Sequence, residues 1–309
     1  MIGTITLNPS IDQHWIVDDF VKDDTNRARQ VIETPGGKGI NVSKVVRELG
    51  GKTRAFALLG GLAGERLKEL AVPLDFPLLS VPIRGLTRIN MIVTDLKDRT
   101  QSRISAPGPR VDAAEWRRFI RLLCAAHPRP DWWVFGGSLP RGVSPTAYRE
   151  LIEALEAKGA SCVLDADNRP LKEGLKAKPF MIKPNEFEMQ RLCGRKLHSV
   201  RQYAREAGKI VRRGIRIVVV SLGPKGALFV SEEEALHIVP PDVEVRSQLG
   251  AGDSLIGGFL RGLQGKRTLT EASRLGVAAS VSAVLRGGPR LCRRADIPGI
   301  LKRLRVRKI

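Results

Sequence analysis

The chain has 309 residues, 42% of them hydrophobic and only 5% aromatic, with 31 Gly and 19 Pro. That is enough for one large α/β domain or two smaller ones, with a substantial core and many Gly-rich turns. Residues 1–8 carry neither a basic n-region nor a long apolar stretch, and no uncharged run approaches membrane-spanning length. A cytoplasmic protein without a membrane partner is expected. Cys124, Cys162, Cys193 and Cys292 lie far apart without paired spacing and read as thiols, not as zinc ligands or disulfides. The formal net charge of +20 raises nucleic-acid binding as a role. Yet the basic residues are spread along the chain, with a modest cluster at Lys302, Arg303, Arg305, Arg307 and Lys308, and no zinc-finger spacing or RNP-like aromatic run accompanies them. A nucleic-acid partner is not expected, whereas an acidic small substrate would gain from the field.

In chain order, residues 2–7 alternate apolar and Thr as a strand, ending at Asn8-Pro9-Ser10. Short strands are predicted at 14–17 and at 28–32, ahead of Pro35; both precede the first helix and form an added β-element. Gly36-Gly37-Lys38-Gly39 opens a helix to about Leu49, with Val42, Val45 and Val46 on one face. A buried strand at 53–59 and a helix at 64–70 follow. Strands at 89–94 and 101–105, joined by Lys97-Asp98-Arg99, make a hairpin. Asp112 and Glu115 stand at capping-box spacing before a helix to Cys124. Strands at 132–135, 161–164, 180–182 and 215–220 then alternate with helices starting at Ser144-Pro145 and at Ser199. This is the pattern of a parallel sheet covered on both faces. After a strand at 227–230, Val243 and Val245 alternate as another strand before Gly250, and helices are predicted over 254–265 and from Thr268 to about Leu285. The second is rich in Ala, Ser and Val, so it packs closely against a neighbour. The expected architecture is one α/β domain over 1–309, a mostly parallel sheet with helices on both faces, plus a small β-sheet lid from about 13–33 and 87–106.

Three stretches carry chemistry. In Gly250-Ala251-Gly252-Asp253, small residues before a helix leave backbone N–H groups and the positive end of the helix dipole free for an anion. An acid there repels such a ligand, which makes sense if Asp253 takes a proton from a hydroxyl while the amides hold a transferred phosphoryl group. The alternative is a tight turn with Asp253 as N-cap. Asp12, after the first strand, could accept hydrogen bonds from sugar hydroxyls or simply cap a turn. Gly36-Gly37-Lys38-Gly39 lets backbone approach a ligand, with Asn41 close by. No G-x-x-x-x-G-K-[ST] Walker A loop occurs in the chain, and Gly250-Ala251-Gly252 is not a dinucleotide fingerprint, since Leu255 stands where a third Gly is needed.

Together with Thr6-Leu7-Asn8-Pro9-Ser10-Ile11-Asp12, Thr87-Arg88-Ile89-Asn90, Gly137-Ser138-Leu139-Pro140, Lys183-Pro184-Asn185-Glu186-Phe187-Glu188 and Ser221-Leu222-Gly223-Pro224-Lys225-Gly226-Ala227, these stretches carry a resemblance over essentially the whole chain. The sequence resembles the ribokinase-like sugar kinases of the phosphofructokinase B branch: 1-phosphofructokinase, tagatose-6-phosphate kinase and the minor 6-phosphofructokinase. The resemblance implies that Asp253 is the catalytic base and that Gly250, Ala251 and Gly252 form the anion hole. It puts Asp12, Gly37, Lys38, Asn41 and Asn90 in the sugar site, and Arg88 and Ser138 on the substrate's existing phosphate. Arg103 matches a lid arginine that, in the 6-phosphofructokinase relatives, reaches the neighbouring subunit's substrate; without the resemblance it reads as an exposed strand arginine. Lys183, Asn185, Ser221, Gly223 and Gly226 fall on the ATP side. Asn185 and Glu188 match an Asn-x-x-Glu element that organises Mg²⁺ through water, where Glu188 alone would read as a solvent-facing helix residue.

The implied activity is ATP- and Mg²⁺-dependent phosphorylation of a ketohexose phosphate, giving fructose 1,6-bisphosphate, in a homodimer joined through its lids. Arg103 puts fructose 6-phosphate slightly ahead, because the 1-phosphofructokinase and tagatose enzymes usually carry an acidic residue there. Thr25-Asn26-Arg27 and Lys38 lean the other way. Tagatose 6-phosphate is the alternative substrate, and a basic nucleotide- or nucleic-acid-binding protein without kinase activity is the alternative from another class. Asp165-Ala166-Asp167-Asn168 departs from the family's Asp-(Ser/Thr)-Ser-Gly.

Overall fold

In the computed structural model, which describes residues 1–286 and 289–309, the chain forms two β-sheets of unequal size. It opens with β1 (Ile2–Thr6), leaves that plane for β2 (Ser10–Val17) and β3 (Gln30–Gly36), and enters α1 (Lys38–Glu48). Next come β4 (Thr53–Leu59), α2 (Gly61–Ala71) and β5 (Leu78–Pro82), followed by the hairpin β6 (Arg88–Asp95) and β7 (Thr100–Ile104). Helices and strands then alternate through α3 (Ala113–Cys124), β8 (Trp132–Gly136), α4 (Ala147–Glu156), β9 (Ser161–Asp165), α5 (Asn168–Gly174) and β10 (Met181–Ile182). Two helices, α6 (Glu186–Cys193) and α7 (Val200–Val211), precede β11 (Ile217–Ser221), β12 (Ala227–Val230) and β13 (Ala235–Val239). The chain closes with α8 (Ala251–Gln264), α9 (Leu269–Val284), α10 (Ile297–Arg303) and β14 (Arg305–Lys308).

The large sheet runs β14-β13-β12-β11-β10-β9-β8-β1-β4-β5, parallel from β11 to β5 and antiparallel through β12, β13 and β14. Alternation along each strand divides the core between two faces. Trp133 and Phe135 of β8 pack with Phe119 of α3, Leu151 of α4 and Ala207 of α7 on one side. Val134 between them packs with Val45 of α1, Phe259 of α8 and Ala278 of α9 on the other. Burial on both faces explains why β1 and β12 are wholly buried rather than half polar. The small sheet runs β3-β2-β6-β7.

Several expectations need correction. Val243 and Val245 lie in a loop, and the strand before that loop is β13. The basic cluster at the C-terminus contains the edge strand β14, exposed at all four residues. Such a strand shows no apolar alternation, and its Arg and Lys side chains discourage edge-to-edge pairing. β2 begins at Ser10, so Asp12 is a strand residue paired with Thr34 and Asn90, not a turn cap. β3 continues through Pro35, which an edge strand tolerates. The capping boxes at Asp112/Glu115 and Thr268/Glu271 form as expected.

Candidate active site

The C-terminal ends of β1, β8, β9, β10 and β11 and the inner face of the small sheet enclose a cavity of about 1040 Å³. This is where an open α/β sheet offers free backbone groups. All of the expected site residues line it except Asn90.

At its floor, Gly250 is the N-cap of α8 at φ 71°, a left-handed turn that a Cβ would oppose, and no side chain caps the helix. The first-turn N–H groups therefore stay available to an anion. Asp253 is not an N-cap; it is the third helical residue, 7% exposed, and its Oδ2 accepts a 2.8 Å hydrogen bond from Asn41 Nδ2. Burial lifts the Asp253 carboxyl above the ordinary carboxylate value; Asp165 adds to this, while Lys38, Lys183 and the Asn41 hydrogen bond oppose it.

Between the two halves of the cavity stands Asp165, at the end of β9 and 1% exposed. Lys38 Nζ lies 3.0 Å from its Oδ2 and Lys183 Nζ 3.2 Å from its Oδ1. Burial works against the Asp165 carboxylate, but Lys183 and Lys38 outweigh it and hold the acid below its ordinary pKa. For Lys38 burial likewise opposes the charge, and Asp165, Asp253 and Glu188 overcome it. One carboxylate thus fixes two ammonium groups, one from the Gly-rich loop and one from the strand end facing Asn185.

Toward the small sheet, Asp12 Oδ1 accepts from Ser10 Oγ and Asn90 Nδ2, both at 2.7 Å. Asn90 is fully buried and stays off the cavity wall, so it aims Asp12 instead of meeting a ligand. Arg103 Nη2 approaches Asp12 Oδ2 to 3.8 Å within this chain. Arg88 is pinned by two carbonyls, Nη1 to Ala106 O and Nη2 to Asn8 O, each 3.0 Å. Asn8 Nδ2 in turn donates to Ser138 Oγ at 3.0 Å. Arg88 and Ser138 are thereby drawn to one wall.

On the opposite side, Asn185 caps α6. Its side chain accepts from Glu188 N and Glu188 Oε2 accepts from Asn185 N, both at 2.8 Å. Glu188 is only 7% exposed, so it is not a solvent-facing residue, and its second oxygen is free of that box. Ser221, Gly223 and Gly226 form the turn after β11, and Val243, Val277 and Val281 supply an apolar wall. Among the described residues no group of three His, Cys, Asp or Glu side chains is placed to hold a metal ion. A single carboxylate such as Glu188 suits Mg²⁺, which keeps its waters and takes phosphate oxygens from a nucleotide.

Two residues escaped the sequence reading. Lys44 sits one turn beyond Asn41 on the same face of α1, a spacing that could have flagged it. Its ammonium donates to the Pro35 carbonyl. Burial pushes it down to about 8, against the pull of Asp12 and Asp253. Asp165 was visible only as part of a departing motif. Two further residues of that motif, Asp167 and Asn168, have structural roles. Asn168 has φ 51°, a conformation Asn tolerates in place of Gly, and Asp167 caps α5 while holding Arg191 of α6 at 2.7 and 2.8 Å.

Residues 2–296 match the family model described as pfkB family carbohydrate kinase. The chain is 34% identical over 297 residues to the ATP-dependent 6-phosphofructokinase isozyme 2 of Escherichia coli (strain K12), covering 96% of each chain. It is 32% identical over 279 residues to the 1-phosphofructokinase of Bacillus subtilis (strain 168), covering 90% of this chain and 91% of that one. A crystal structure of phosphofructokinase-2 from Escherichia coli in complex with substrates and products matches with a TM-score of 0.92 at 34% identity, over 97% of this chain and 98% of that one.

Proposed function

The chain belongs to the pfkB family of carbohydrate kinases and has the ribokinase-like fold, and from this we propose that it transfers the terminal phosphoryl group of ATP to a hydroxyl of a fructose phosphate, yielding fructose 1,6-bisphosphate. The observation that carries this reading is the pairing of Asp253 with an uncapped helix N-terminus on one side of the cavity and of Arg88 with Ser138 on another. The first suits a hydroxyl that must lose a proton as it attacks phosphorus. The second suits an acceptor that already carries a phosphate, because a guanidinium offers forked donors at fixed geometry.

In this mechanism Asp12 and Asn41 hold the sugar hydroxyls, and Asn41 also orients Asp253. Asp253 removes the proton of the attacking hydroxyl as the new O–P bond forms and the bond to ADP breaks. The first-turn amides of α8 and the Lys38 ammonium take up the negative charge on the transferred group. Asp165 holds Lys38 toward the acceptor and Lys183 toward the nucleotide. Ser221, Gly223 and Gly226 flank the nucleotide, with the apolar wall for its base. Mg²⁺, when bound, neutralises phosphate charge, and Glu188 with Asn185 would hold it through water.

Fructose 6-phosphate is the preferred acceptor in this reading, supported by Arg103 lining the cavity. Measuring kcat/KM for fructose 6-phosphate, fructose 1-phosphate and tagatose 6-phosphate with Mg-ATP tests it. We expect fructose 6-phosphate to lead, and a preference of about tenfold or more for fructose 1-phosphate, roughly 1.4 kcal/mol, would reverse the assignment. A nucleic-acid-binding protein without kinase activity is not favoured, since the relatives are kinases.

A dimer through the small sheets, and a cytoplasmic location alongside its substrates, belong to the same reading. Asp12 and Arg103 point inward, and on the outer face Val31, Ile89, Met91 and Ile104 are 37–63% exposed. Exposed apolar side chains gathered on one sheet face favour a second copy over water.

A further inference from the structure

A second cavity, of about 920 Å³, lies beyond α1 from the first, between the outer turns of that helix, residues 73–75 and the segment 289–294. Six cations line it: Lys44, Arg47, Arg286, Arg290, Arg293 and Arg294. Two of the three carboxylates nearby are paired with cations, and the third, Glu48, meets only a backbone N–H. Asp75 pairs with Arg47, Asp296 pairs with Arg286 at 2.8 Å, and Glu48 accepts the backbone N–H of Arg294 at 2.7 Å. Among the described residues, Arg290, Arg293 and Arg294 have no carboxylate within ion-pair distance, whereas the Lys44 ammonium turns to the Pro35 carbonyl and feels Asp12 and Asp253. Arg290, Arg293 and Arg294 thus bring three unpaired guanidinium groups to one concavity against the single unpaired carboxylate of Glu48, and an anion relieves the excess positive charge. Guanidinium groups on several sides are suited to phosphate oxygens. Pro73, Leu74 and Leu291 add apolar wall, and the volume exceeds what one inorganic phosphate fills.

The cavity is also joined to the active site. Lys44, Pro289, Arg290 and Leu291 line both cavities. A Leu291 methyl occupies the space where a Cβ on Gly250 would stand, so the segment bearing Arg293 and Arg294 rests directly on the turn that opens α8. We propose that the second cavity binds a small anion carrying two or more phosphate groups, and that its occupancy is relayed through Leu291 to the Gly250 turn. Movement of the segment 289–294 toward a bound anion changes the packing of Leu291 on Gly250. That turn in turn sets where the first amides of α8 lie.

The test uses tripolyphosphate as the probe. The protein is first saturated with fructose 6-phosphate and a non-hydrolysable ATP analogue, so that the main cavity is filled. Calorimetry should then report one tripolyphosphate per chain for the wild type and none for Arg293→Glu/Arg294→Glu, with sulfate at equal ionic strength giving no such binding. A wild type that binds none, a variant that binds as well as the wild type, or a sulfate response of equal size overturns the site. If the charge-reversed variant fails to fold, Arg293→Gln/Arg294→Gln should weaken binding about tenfold or more, two charge-assisted contacts being removed. Absence of heat with the first two ligands would instead count against the kinase reading, so the two failures are distinguishable. At saturating substrates and fixed free Mg²⁺, tripolyphosphate should change wild-type kcat at least about twofold and leave that of the variant unmoved. An unchanged wild-type kcat with the site filled would overturn the relay.

Discussion

Asp253 illustrates how one residue type acquires a role from its surroundings. An exposed aspartate is ionised far below neutrality and is a weak base; burial at the head of α8 raises its pKa, and Asn41 keeps it aimed. Asp253→Asn should lower kcat by about 10² to 10⁴ with little effect on either KM. Because the basic form exists only above the raised pKa, the acid limb of the kcat profile should lie above the ordinary carboxylate range. Near-wild-type turnover in Asp253→Asn would remove it as the base. Lys44 makes the opposite case. Its ammonium titrates at about 8, so it is charged below that pH and neutral above it. In the wild type KM for the sugar phosphate should rise above pH 8, and in Lys44→Arg, which stays charged, that rise should vanish. An identical alkaline limb in both proteins would show that Lys44 does not face the acceptor.

At the scale of elements, the position of Asp253 depends on how closely α8 can approach its neighbours. A Cβ on Gly257 would stand 2.7 Å from Val45 of α1, one on Gly258 2.7 Å from the Leu275 carbonyl, and one on Gly262 2.7 Å from Ala272 of α9. The Ala- and Ser-rich composition of α9 signalled this close packing; its partner emerged only in the fold. Gly258→Val should destabilise the protein by about 1–3 kcal/mol, the usual cost of overpacking, and should also depress kcat, because α8 carries the proposed anion hole and Asp253. Denaturant unfolding together with a rate assay distinguishes this from a harmless surface change, which would alter neither. The capping boxes of α3 and α9 were legible because their residues are three apart. The box between Asn185 and Glu188 has the same spacing, and there the same residues also face the cavity.

For the molecule as a whole, the outer face of the small sheet makes the oligomer testable. Met91→Glu with Ile104→Glu should shift sedimentation from dimer to monomer, placing charge on an apolar face without touching Asp12 or Arg103. An unchanged sedimentation coefficient would move the interface elsewhere. The +20 charge is distributed in the same uneven way. Part of it lies on β14, where it protects a sheet edge, and part lines the two cavities for which we propose anionic ligands.

By itself, the sequence determined the fold class for a physical reason, while the residues that line the cavity were named mostly by its resemblance to a kinase family. Buried parallel strands, helix caps and glycine turns are local signals, written in the residues that form them. The tertiary structure alone decided what depends on residues far apart in the chain. Asn90 became a support for Asp12, Glu188 a buried residue, and Asp165 the shared counter-ion of Lys38 and Lys183, which lie 127 and 18 positions from it in sequence. The +20 charge, uninformative as a sum, acquired a location once the fold gathered Arg286, Arg290, Arg293 and Arg294 around one cavity. Electrostatic roles depend on distance and burial, and neither is a property of spacing along the chain.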